Sequence, residues 1–131
     1  MRRISSSIVL TLALMAFLES ALARDNCLGA FSSFNFNSES GDLNGMEIRI
    51  VYTRLGKQAS IQFSEGEPGP LVTANVICKG NNIHISIPGI YGREESRIDG
   101  FISNKKIEGK ITYKGGSQHE ISIPRHKSYW D

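Results

Sequence analysis

From Phe31 to Pro124, apolar and polar residues alternate with a period of two, a pattern that predicts strands rather than helices. Gly, Asn and Pro interrupt it about every eight to twelve residues, the spacing of an all-β sandwich or barrel. Eight strands are expected, near 31–37, 46–54, 57–64, 71–79, 82–88, 97–103, 106–113 and 117–124. Ile48, Ile50 and Tyr52 fall on one face, as do Ala59, Ile61 and Phe63, and Ile83, Ile85 and Ile87. The residues between them are mostly polar, so one face of each strand is expected to meet a core and the other water.

Short turns specify which residues face each other. Gly80-Asn81 suits a two-residue hairpin loop, pairing Cys78 with Ile83, Val76 with Ile85 and Ala74 with Ile87. Asn104-Lys105 does the same for Ile102 with Ile107 and Ile98 with Ile111, and sets Asp99 against Lys110 on the outer face. Around Gly115-Gly116 a three-residue loop fits better. It pairs Ile107 with Ile123 and Lys110 with Glu120, whereas a shorter loop puts Ile111 opposite Glu120.

Eight sequential antiparallel strands predict a single up-and-down meander, closed or nearly closed into a barrel without exposed edges. An interior of that size holds side chains or one small ligand. Cys27 precedes the first strand and Cys78 lies at the foot of the fourth, which brings both to one end. A Cys27–Cys78 disulfide is therefore expected.

A different pattern precedes the strands. Met1-Arg2-Arg3, the apolar stretch from Ile8 to Leu18 and the small residues of Ala21-Leu22-Ala23 read as a signal peptide over 1–23, leaving one β-barrel domain over 24–131. The stretch is too short for a lasting membrane span. Arg24-Asp25-Asn26 before Cys27 are not the small residues of a lipid-attachment box, so no membrane anchor is expected. Export is the expected fate, to a bacterial periplasm or otherwise by secretion. Without Arg2, Arg3 and Glu19 the formal charge falls from +2 to +1, which gives no electrostatic case for binding nucleic acid.

The turn segment Gly41-Asp42-Leu43-Asn44-Gly45, the strand Gly80–Pro88 and the tail from Gly100 to Ile111, ending at Arg125, resemble a loose family of secreted lipocalin-like β-barrel modules. The likeness spans roughly residues 31–125 and rests on turn glycines and alternating isoleucines. It implies a lipocalin-like barrel, with Arg125 as a closing arginine and Trp130 as its stacking partner. The chain lacks a Gly-x-Trp in the first strand, where Phe31, Phe34 and Phe36 stand instead, so ligand transport is not implied by motif.

Signatures of catalysis are missing: no Gly-x-Ser-x-Gly elbow, no His-Glu-x-x-His and no phosphate-cradling glycine loop. His84, His119 and His126 are too scattered for zinc, and neither a metal nor a cofactor is expected. His84 is expected outward opposite Ile77, and His119 near one rim beside Tyr113. Turns at one end are minimal, while 38–44, 65–70, 89–96 and 114–116 make the other end loop-rich. Binding in a barrel belongs at such a mouth. The candidate contact residues are Tyr91, Arg93, Glu94, Glu95, Glu65, Glu67 and His119. Gly100 and Gly109 are expected to face each other inside the barrel, making room, with Tyr113, for a cavity. The chain is thus expected to be a non-catalytic exported binding module engaging a partner protein, such as an inhibitor or immunity-type factor. The alternative is a carrier for a small apolar ligand.

Overall fold

The computed structural model describes residues 25–90 and 92–131; the signal peptide expected over 1–23 and the contact residue Tyr91 lie outside the described residues. The described residues form strands β1 (Gly29–Ser32), β2 (Asn35–Phe36), β3 (Leu43–Thr53), β4 (Gly56–Lys79), β5 (Asn82–Ile87), β6 (Ser96–Ile102), β7 (Lys106–Tyr113) and β8 (Gln118–Pro124), with no helix among them. They make one antiparallel sheet in the order β1-β3-β4-β5-β6-β7-β8, with β2 also on β3.

The sequence predicts two strands, 57–64 and 71–79, where β4 runs unbroken for 24 residues. It nevertheless doubles back. Gln62 Nε2 donates to the Gly69 carbonyl at 2.8 Å, and a Cβ on Gly69 would lie 2.9 Å from the Phe63 carbonyl oxygen. Six residues of straight strand would instead span roughly 20 Å. The buried positions shift from odd (Ala59, Ile61, Phe63) to even (Val72, Ala74, Val76), as expected for two arms facing one core. Glu65–Pro70 is therefore not a loop but the extended tip of a hairpin.

Closure gives a parity test. Phe31 bridges Arg125 in antiparallel sense, and the His126 amide donates to the Ala30 carbonyl. A ring of alternating strands closes antiparallel only with an even number. Counting β1 with β2 and the two arms of β4 separately gives eight, a nearly closed barrel. The Cys27–Cys78 disulfide, with Cα atoms 6.5 Å apart, agrees, because only a doubled β4 returns Cys78 to the end where β1 begins.

The inferred registers hold at Cys78–Ile83, Val76–Ile85, Ile98–Ile111, Ile102–Ile107, Ile107–Ile123 and Lys110–Glu120. Phe31, Ile48, Ile61, Ile85, Ile98, Ile107 and Ile123 are wholly buried. Each such side chain contributes about 1.5–3 kcal/mol by leaving water.

Three further expectations about the barrel wall need correcting. Tyr52 is 69% exposed, since its end of β3 runs past the core. The first predicted strand is broken at Ser33-Phe34, where Ser33 Oγ bonds both the amide and the carbonyl of Met46. Gly100 does face Gly109, but not to make room for a ligand. A Cβ on Gly100 would sit 2.8 Å from Gly109 Cα and overlap the Glu108 carbonyl, and one on Gly109 would overlap the Asp99 carbonyl. The opposing backbone fills the space that both side chains lack.

Past β8 the chain straps the outside of the barrel. Buried Glu47 accepts from Ser128 Oγ at 2.6 Å and from the Tyr129 amide at 2.8 Å, and Trp130 Nε1 donates to Gln62 Oε1 at 2.8 Å. Trp130 packs edge-on against Phe34 and Tyr129. Arg125 instead lies over Phe31, 4.3 Å from the ring centroid, so Phe31 takes the role that the family resemblance gave Trp130.

Candidate functional site

At the long-loop rim, hairpin tips from separate parts of the chain meet around one polar recess of about 300 Å³. Glu65 comes from the tip of β4, Arg93 and Glu94 from the β5–β6 connection, and Tyr113 and His119 from the β7–β8 hairpin. Arg93 is fixed twice: its guanidinium lies 4.0 Å from the Phe63 ring centroid and Nη2 donates to Glu65 Oε1 at 2.8 Å. Glu94 Oε2 accepts the Gly115 amide at 2.9 Å, which ties the β5–β6 connection to the β7–β8 turn. The His119 ring meets Tyr113 edge-to-face at 5.9 Å.

Five sequence-predicted residues, Glu65, Arg93, Glu94, Tyr113 and His119, thus come together. Tyr113 belongs to this rim rather than to a cavity beneath the paired glycines. Glu67 is exposed on the β4 tip outside the recess, and Glu95 turns toward Lys114, 3.9 Å away, at the edge of a different cleft.

That second cleft, about 540 Å³, runs along the outer wall over β5, β6 and β7. His84 Nδ1 lies 2.6 Å from Asp99 Oδ1, His84 Nε2 lies 3.2 Å from Ser86 Oγ, and Arg97 Nε donates to Asp99 Oδ2 at 3.1 Å. Asp99 spends its oxygens on His84 and Arg97, and Lys110, directly across from it, pairs with Glu120 at 3.4 Å. The sequence reading places His84 on the outer face but assigns it no partner. Alternation alone puts His84 and Ser86 on one face, two residues apart. Only the β5–β6 register, which sets His84 opposite Asp99 and Ser86 opposite Arg97, completes the cluster. The long connection between those strands hides that register from the sequence.

No family model, curated protein or solved structure matches the chain.

Proposed function

We propose that this chain is an exported binding module that grips a partner protein with its long-loop rim, as an inhibitor or immunity-type factor does. The carrying observation is the convergence of Glu65, Arg93, Glu94, Tyr113 and His119 from three hairpins around one recess. Arg93 is immobilised on Phe63, so a partner meets a preorganised surface and little side-chain freedom is lost on binding. Arginine and aromatic side chains are favoured interface anchors. With Glu65, Glu67, Glu94 and Glu95 against Arg93 and Lys114, the rim carries excess negative charge, which suits a basic patch on the partner. The leader-like residues 1–23 and the disulfide support export, and we assign the protein to a bacterial periplasm.

Crosslinking in the exporting cells tests this reading. Wild-type protein is expected to yield rim crosslinks to one partner, and Arg93→Ala and His119→Ala each to weaken its capture at least about tenfold. Both variants should melt within about 3 °C of wild type. Undiminished capture by both variants, or crosslinks confined to the short turns, overturns it.

A further inference from the structure

We propose that the outer wall of the barrel carries an acyl-transfer site in which Ser86 is the nucleophile, His84 the general base and Asp99 the group that orients His84. This goes beyond the rim reading and replaces the sequence expectation that the chain is non-catalytic. An ionised carboxylate only accepts hydrogen bonds, so Asp99 Oδ1, 2.6 Å away, holds the proton of neutral His84 on Nδ1. Nε2 is then left as acceptor for the Ser86 hydroxyl at 3.2 Å, within the reach that a nucleophile–base pair requires. The order carboxylate, imidazole, hydroxyl is the one that defines a serine-hydrolase relay by geometry rather than by sequence position. All three side chains stand on paired strands, whose hydrogen-bond ladder fixes their spacing.

Two further observations separate this cluster from an ordinary surface network. The cleft lined by His84 and Ser86 is large enough for a small substrate, with Tyr113 and Lys114 also in its wall. Arg97, directly across the sheet from Ser86, supplies positive charge where an oxyanion would form. Because Arg97 and Lys114 are balanced by Asp99 and Glu95, the substrate class is a neutral, short-chain carboxylic ester.

The reaction balances without a cofactor. Ser86 Oγ bonds to the ester carbonyl carbon as its proton passes to His84 Nε2, and the carbonyl electron pair moves to oxygen beside Arg97. When the carbonyl re-forms, the bond to the alkoxy group breaks and that group leaves as alcohol with the proton from Nε2. Water then attacks the acyl-serine and gives a proton to Nε2, which returns it to Ser86 Oγ as the acid departs.

The test uses protein purified after export, treated with a fluorophosphonate and, separately, with p-nitrophenyl acetate. A phosphonyl adduct on Ser86 is expected, with ester hydrolysis that falls at least about 100-fold in Ser86→Ala and at least about tenfold in Asp99→Asn. All three groups point outward from the sheet, so each variant should keep the wild-type strand spectrum. Absence of an adduct, an adduct on another residue, or hydrolysis unchanged in Ser86→Ala overturns the proposal; the last result would assign turnover to surface histidines or lysines.

Discussion

At the foot of the barrel, the Cys27–Cys78 disulfide joins segments 51 residues apart, and Arg125 reaches back 97 and 99 residues to the Leu28 and Asn26 carbonyls. At the rim, Arg93 reaches Glu65 across 28 residues and Glu94 reaches the Gly115 amide across 21. The foot ties chain ends to the barrel wall through a covalent link and through backbone acceptors that no surface substitution removes. The rim relies on carboxylates that stay open to water, whose pairings are worth little to stability. The rim residues can therefore vary while the foot keeps the barrel shut.

Cutting the covalent tie should have the largest effect. With Cys27→Ala and Cys78→Ala together, chain-entropy reasoning for a loop of this length gives a loss of about 4 kcal/mol, or roughly 15–25 °C in melting temperature. A fall below about 5 °C would mean that the noncovalent closure alone holds the foot.

Arg125→Ala should come next. The guanidinium donates to the Leu28 carbonyl at 2.6 Å, to the Ser103 carbonyl at 3.0 Å and to the Asn26 carbonyl, and it covers the Phe31 ring. Charged donors to neutral acceptors contribute about 1.5–3 kcal/mol each when lost from a closed site, but they share one side chain, so a total of about 3 kcal/mol is expected. Thermal unfolding of Arg125→Ala beside the rim variant Arg93→Ala measures the contrast directly. Equal shifts in the two would erase the distinction between foot and rim.

Much of the wall is legible in the sequence, because two constraints act on each residue there. Alternation selects the face and a short turn selects the partner, so Gly100 opposite Gly109 and Lys110 opposite Glu120 follow from sequence alone. Where one constraint drops out, so does the inference. The connection between β5 and β6 leaves the offset of two well-patterned strands open, which conceals His84 beside Asp99. The strap after Pro124 has no periodicity at all, and buried Glu47, an outward-facing residue by pattern, is covered only because Ser128 and Tyr129 cross it. The rim residues could be nominated from loop length, but the Arg93–Phe63 stack depends on how the β4 tip folds over.

The smallest effect belongs to an ion pair at the foot, and it separates location from chemistry. Lys57 Nζ lies 2.8 Å from Asp25 Oδ2, and the Cys27 amide donates to Oδ1 at 3.0 Å. The Lys57 hydrogen bond first, and then the Cys27 amide, hold the Asp25 carboxyl below its ordinary 3.8, against a partial desolvation that pushes the other way. A carboxyl depressed in the folded state adds stability that is fully present above the unfolded value and fades as pH falls through the folded one. Asp25→Asn should therefore melt about 1–2 °C below wild type at pH 5–7, a small shift because the pair is open to water. Below 3.8 the gap should close as wild-type Asp25 takes up its proton. A gap that persists once the wild-type carboxyl is protonated would show that Asp25→Asn costs stability through something other than the lost charge. A gap of several degrees at neutral pH would place a surface ion pair among the foot's main ties, against the division between foot and rim drawn here.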